Sequence, residues 1–273
     1  KIASIIDAIM DHTGIKPQGI GFGASGPVDH KKGIINNPYT LSTWENVDVV
    51  TPLRDRYGIK VCLENDADVA ALGETWMGAG IGYRNVAVVT VGTGIGTAFI
   101  RDGKIFRGFN QLHPEGGHIP VDPNGPVCYC GAHGCWEALA SGSAIADHAK
   151  RMLAEYPESL LRNSPDAHSL DAKSVIEAAH NGDELGKRVL AQSAKYLGLG
   201  LVTLIHLHMP ECIIFTGGVM RSFALFQPAL VEIIRQHSVM NPLYEIPLVL
   251  AKMGQEAGMV GAARAVMLES SIY

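Results

Sequence analysis

Three of the chain's five cysteines, Cys128, Cys130 and Cys135, fall within eight residues of the stretch from His113 to Glu137. A Cys-x-Cys pair has poor geometry for bridging to itself. Crowded thiolates are more stable as ligands of a soft or borderline cation, and three Cys with one His make a closed tetrahedral zinc site. Gly131 and Gly134 let the short loop turn back so that the sulfurs face one point. His113, His118 and His133 all stand close to the sulfurs in sequence. His133 lies two residues from a ligand on a tight loop and is expected to point outward, so His118 is taken as the fourth ligand. The competing reading is a cysteine-rich surface loop without metal, or an intracellular redox pair. A closed site makes the zinc structural. Its expected job is to pin the loop that carries Glu115, His118 and Glu137.

The chain has 273 residues, 47% apolar and 18% charged, enough for one large domain or two lobes around a sizeable core. A net charge of −5 without any Lys/Arg run argues against a nucleic-acid surface on these residues. No apolar stretch reaches transmembrane length, since Leu197 to Met209 is interrupted by His206 and His208. Those two histidines read as core or surface residues, not ligands. No signal peptide is visible, and the chain starts at Lys1 rather than Met. Cys62 and Cys212 sit in apolar segments and read as buried free thiols, which points to a reducing, cytoplasmic setting.

Along the chain, Ile2, Ile5, Ile6 and Ile9 recur at helical spacing, predicting a helix that ends near Gly14. Strands are expected at Gln18 to Gly23, at Ile34 and Ile35 after a polar tip at Asp29 to Lys32, and at Val61 to Leu63, with a helix from Val49 to Tyr57. Asp66 follows the last of these strands and opens a helix. Carboxylates at the carboxyl ends of strands face the cleft of α/β proteins, although Asn65 or Asp66 could also simply cap the helix. Asn85 to Val91 and a strand through Phe99 to Arg101 flank Gly92, Thr93, Gly94, Ile95 and Gly96. Alternating glycines there let backbone N–H groups approach a phosphate, or serve a purely steric purpose. No Gly-Lys-Ser/Thr follows, so this is no Walker A loop. Helices are predicted at 136–155, 171–181, 184–208, 222–239 and Gln255 to Leu268, with strands at Glu211 to Phe215 and 247–251. Gly217 and Gly218 end a strand before a helix, which suits either a flat ligand such as adenine or a tight turn.

These residues make a workable constellation. Glu115, Glu137 and His118 could fix a sugar, because each carboxylate oxygen accepts from a different hydroxyl and unpaired buried groups penalise the wrong epimer. Phosphoryl transfer needs a base near the attacking hydroxyl and cations or N–H groups around the phosphates. Asp66 is the base candidate, with Gly92, Thr93 and Gly94 nearest the phosphates.

Glu115-Gly-Gly-His118 followed by Cys128-x-Cys-Gly-x-x-Gly-Cys-x-Glu137 resembles the zinc signature of the ROK family of repressors, open reading frames and sugar kinases. The resemblance covers nearly the whole chain, and the stretches from Ser25 to Val28 and from Glu64 to Glu74 look most like its glucokinase branch. It implies an actin-like, ribonuclease-H-like two-lobe α/β fold with a structural zinc loop. The small lobe would span 1–63, joined by 255–273, and the large lobe 64–254. It further implies Asp66 as general base, Asn65, Asp66, Glu115, His118 and Glu137 on the sugar, and Gly92, Thr93, Gly94, Gly217 and Gly218 on the nucleotide. His118, Cys128, Cys130 and Cys135 would hold Zn2+. ATP with Mg2+ would serve as phosphoryl donor, and a homodimer is expected.

The sequence departs from the family pattern in places. Asp68 stands where the pattern Asn-Asp-Ala-Asn has its last Asn, and His113-Pro114-Glu115 replaces Ala-Gly-Glu. Thr40 stands where a sugar-contacting Asn is usual, which leaves glucose, fructose, mannose and an N-acetylhexosamine in contention. Nothing resembles the family's opening Asp-x-Gly-Gly-Thr phosphate loop. The expectation is that strands before Lys1 are missing and that the chain turns over ATP poorly without them. A non-catalytic sugar-sensing domain of a repressor is the rival function, disfavoured because a sensor has no use for Asp66 or the Gly92 to Gly96 loop.

Overall fold

A computed structural model describes residues 1–38, 42–163 and 170–270. Thr40 lies outside them. In chain order the elements are α1 (Ile2–Thr13), β1 (Gly19–Ala24), β2 (Val28–Asp29), β3 (Ile34–Ile35), β4 (Val47–Asp48), α2 (Thr51–Tyr57), β5 (Lys60–Asn65), α3 (Asp66–Met77), β6 (Val86–Val91), β7 (Ile95–Arg101) and β8 (Lys104–Ile105). There follow α4 (Trp136–Ala140), α5 (Gly142–Met152), α6 (Ala172–His180), α7 (Glu184–His208), β9 (Cys212–Thr216), α8 (Phe223–His237), β10 (Leu248–Leu250) and α9 (Ala257–Ser270). The helix predicted over 136–155 is broken. Ser141 is extended, with φ −72° and ψ 170°, and its Oγ accepts from Ala144 N at 3.2 Å, ending α4 and capping α5. The helix predicted from Val49 starts at Thr51, because the Asp48 carboxylate accepts from Val50 N and Thr51 N.

The chain divides into two compact units, one of Lys1–Arg84, Ala98–Pro114 and the segment from Lys252 onward, the other of Asn85–Thr97 and Glu115–Ala251. Residues 64–84 and 98–114, expected in the large lobe, pack with the first unit. Its small core is Ile35, Val49, Val50, Leu53, Val61 and Leu63, covered on one side by Ile2, Ala3 and Ile6 of α1. That helix stops at Gly14 in the left-handed region (φ 67°), whose N–H bonds Met10 O. β1 and β5 pair in parallel from Gly19↔Lys60 to Ala24↔Asn65.

Helices α3 and α9 cross at backbone distance. A Cβ on Gly73 would lie 2.1 Å from Ala257 O, and one on Gly261 would lie 1.6 Å from Val69 O. The crossing is locked by Glu74, itself buried, whose carboxylate accepts from Ala79 N at 2.9 Å, Lys252 N at 3.1 Å and Met253 N at 2.7 Å. Three N–H donors offset the cost of burying that charge.

In the second unit β6, β9 and β10 are parallel neighbours in the order β10-β9-β6. Cys212, Ile213, Ile214 and Phe215 are fully buried, as an apolar strand between two layers requires. α7 buries Leu185, Val189, Leu197, Leu201 and Ile205 and is capped by Asp183, which accepts from Gly186 N at 2.7 Å. His206, near its end, is exposed and bonds Val202 O. β7 begins in this unit and ends in the first, where Ile100 and Arg101 pair antiparallel with Ile105 and Lys104. Among the described residues no helix is long and apolar enough to cross a membrane.

Gly261→Val should cost about 3 kcal/mol or more, because overpacking against backbone cannot be relieved by a rotamer change. A fall in melting temperature on the order of 10 °C is expected; an unchanged temperature would contradict the close crossing.

Candidate functional site

The cysteine loop folds back as its glycines predict, with Gly131 at φ 90° and Gly134 at φ 64°. Cys128 N donates to Ala132 O at 2.8 Å, and Gly134 N to Pro126 O at 2.8 Å. The result brings one atom from each of His118, Cys128, Cys130 and Cys135 within 4.8 Å of one another, a group able to hold a metal ion. His118 Nδ1 lies 3.6 Å from Cys128 Sγ, and Cys130 Sγ lies 3.6 Å from Cys135 Sγ. Tetrahedral zinc, with Zn–S ~2.3 Å and Zn–N ~2.0–2.1 Å, separates its ligand atoms by about 3.5–3.8 Å, so the donor set fits. Burial pushes the Cys135 thiol up to about 12, whereas the backbone N–H of Ala132 lowers that of Cys130. His133 stays outside the group, exposed, with Nδ1 3.4 Å from Gly125 O. His113 is also outside it, paired with Asp68. The loop is fastened to α7: Trp136 is fully buried against Gly200, and Tyr196 donates to Asp122 at 2.8 Å.

The same loop carries two of the predicted sugar residues. Glu115 is exposed just before the single turn Gly116–His118, and its carbonyl accepts from His118 N. Glu137, in the first turn of α4, is half-buried and accepts from Ile95 N at 2.7 Å, which couples it to the glycine loop. A Cβ on Gly94 would strike that carboxylate at 2.1 Å. Gly94 therefore makes room for Glu137. Tyr129, to which the sequence reading assigned no role, turns its hydroxyl to His118 Nε2 at 3.1 Å. Burial, then the negative charges of Glu137, Cys128 and Glu115, push that phenol up to about 12.

A cavity of about 810 Å³ lies beside the glycine loop, lined among others by Gly92, Thr93, Gly142, Ser143, Gly218 and Arg221. Gly142 N donates to Gly92 O at 2.7 Å and Ser143 N to Thr93 O at 3.3 Å, so the start of α5 holds the glycine loop. Of the five predicted nucleotide residues, Gly92, Thr93 and Gly218 line this space. Gly217 instead packs at φ 97° against β6, where a Cβ would meet Val91 O at 2.4 Å. Lys150, Lys173 and Arg221 give the cavity its cations, and Asp147, Asp171 and Glu177 its anions. The Gly142 and Ser143 wall was hidden inside a helix drawn too long; the Ser-Gly-Ser run at 141–143 is the signal that marks it.

In the first unit, Asn65 is the cap of α3: its Oδ1 accepts from Ala67 N at 2.8 Å. Asp66 is the first helical residue and exposed, with Oδ1 2.9 Å from the same N–H. The turn thus has its cap without Asp66.

A profile described as the ROK family matches residues 1–268. The chain belongs to the ROK family. A glucokinase from Thermotoga maritima is 34% identical over 266 residues, covering 96% of this chain and 83% of that protein. The crystal structure of a ROK family glucokinase from Streptomyces griseus in complex with glucose and AMPPNP superposes with a TM-score of 0.77 at 32% identity, over 97% of this chain and 88% of that one. A xylose repressor from Caldicellulosiruptor bescii is 27% identical over 243 residues, 89% of this chain and 61% of the repressor. The α/β fold of this ROK protein is the actin-like ATPase type that its sequence resemblance implies.

Elemental analysis of the purified ROK protein should find about one metal ion per chain. Cys130→Ser should lose it while the exposed position keeps the fold intact. Retention of a full equivalent by the variant would remove Cys130 from the ligand set.

Proposed function

We propose that this ATP-dependent sugar kinase of the ROK family phosphorylates the exocyclic hydroxyl of a hexose, glucose first among the candidates. The observation that carries the reading is the exposed Asp66 carboxylate at the carboxyl end of β5, beside an Asn65 that already caps the helix. Asp66 accepts the proton of the attacking hydroxyl. The sugar oxygen bonds to the γ-phosphorus, the bond from that phosphorus to the β-phosphate oxygen breaks, and ADP leaves. Mg2+ arriving with the ATP would neutralise charge on the phosphates. Gly92 and Thr93 lie nearest the phosphates and Gly218 nearest the adenosine; Arg221 adds a cation. Asn65, Glu115, His118 and Glu137 hold the sugar hydroxyls. Zinc is the metal best suited to His118, Cys128, Cys130 and Cys135, and bound there it would close the loop and fix His118 and the start of α4.

The similarity to glucokinases supports glucose as acceptor, and His113 and Thr40 leave mannose, fructose and an N-acetylhexosamine as rivals. A sugar-sensing role is the second reading, favoured by the xylose repressor similarity, because one fold serves both functions. A cavity beside a glycine loop is of use to a kinase and not to a sensor.

Asp66→Asn keeps size and polarity but cannot take a proton, so kcat should fall by about two orders of magnitude or more with sugar affinity retained. Steady-state kinetics and calorimetry measure the two quantities. Near-normal turnover by the variant would make Asp66 a spectator. Filling the cavity with Ala146→Trp should raise KM for ATP at least about tenfold and leave sugar affinity unchanged. An unchanged KM for ATP would move the nucleotide elsewhere.

A further inference from the structure

Two departures from the family pattern, Asp68 and His113, lie 45 positions apart and meet. Asp68 Oδ1 is 2.9 Å from His113 Nδ1, with the two side chains only 3% and 12% exposed. Nearby in sequence Glu64, also 3% exposed, pairs with the Arg107 guanidinium, 20% exposed. The acidic members flank Asp66 at two residues before and two after. The basic members both lie on the stretch that follows β8. All four belong to the first unit.

Successive helical positions are about 100° apart, so Asp68 points nearly opposite to Asp66. Asp66 is accordingly exposed while Asp68 is buried. Both sit in the first turn of α3, where the helix N-terminus favours negative charge. The buried carboxylate on the far face lies against the His113 imidazole, whose Nδ1 is 2.9 Å away. Glu64, the last side chain but one of β5, is buried on the strand side and takes the Arg107 guanidinium. The strand-to-helix turn that aims Asp66 therefore has side chains of one distant segment against it on both sides, the Arg107 guanidinium and the His113 imidazole.

We propose that the pairs Glu64–Arg107 and Asp68–His113 are positioning residues that set the direction of the Asp66 carboxylate. The proposal rests on Asp66 as the base. A displacement near 1 Å can cost a reaction step up to about a hundredfold, so loosening the grip should slow turnover more than it weakens sugar binding. Asn at position 113 places an amide nitrogen donor close to where the imidazole Nδ1 stands, within reach of Asp68, whereas Ala places no polar atom there.

The full chain is assayed for sugar-dependent ADP formation at a temperature where circular dichroism shows each variant folded. His113→Ala should lower kcat about tenfold or more with KM for sugar within about threefold, and His113→Asn should restore kcat to within about threefold of wild type. The double variant Asp68→Ala with His113→Ala should be no slower than the worse single variant, because the two act as one pair. If His113→Ala does not fold, Arg107→Gln, at the more accessible pair, should show the same loss of kcat with KM kept. Variants that melt earlier yet turn over at the wild-type rate while folded would make both pairs purely structural and overturn the proposal. Absence of turnover in the wild type would instead refute the kinase reading, and this inference with it.

Discussion

Three carboxylates are buried within one strand and the helix after it: Glu64, Asp68 and Glu74, each 2% exposed. Burying a charge is costly unless it is paired and hydrogen-bonded, and nothing local can satisfy all three. The partners come from far along the chain, Arg107 and His113 from one segment and the backbone of Lys252 and Met253 from another. These contacts tie residues 98–114 and those from Lys252 onward to the first unit, alongside the packing of α9 on α3. They also keep β5 and α3 in a fixed relation, and Asp66 sits at their junction.

The second unit is organised by a different physical demand. Three thiols and an imidazole converge into a group able to hold a metal ion. The convergence sets the loop, Trp136 and Tyr196 dock it on α7, and the helix that starts at Trp136 presents Glu137 to the backbone of the glycine loop. Metal candidate, sugar candidate and phosphate candidate are thus successive links in one chain of contacts. Gly92 carries the chain on to α5 through Gly142 N, at the edge of the large cavity.

Much of this was legible in the residues. The convergence of His118, Cys128, Cys130 and Cys135 was readable because ligand chemistry is local: four donors within eighteen residues admit few arrangements. Strands β6, β9 and β5 were readable because fully buried apolar runs leave no alternative face. The break at Ser141 was missed because the apolar positions on both sides keep helical spacing, and one serine cap interrupts it. Asp68 and His113 could each be seen as unusual, but their pairing joins residues 45 apart and depends on tertiary structure. Tyr129 likewise reads as an ordinary loop residue until its hydroxyl is found on His118. The first unit joins segments far apart in sequence, which local periodicity does not reveal.

The central claim is transfer of a phosphoryl group from ATP to a hexose. Phosphorus NMR of the purified protein incubated with ATP, Mg2+ and glucose follows it directly. The account predicts a hexose phosphate-ester resonance growing in step with ADP, with inorganic phosphate low. ADP appearing with inorganic phosphate alone would contradict it.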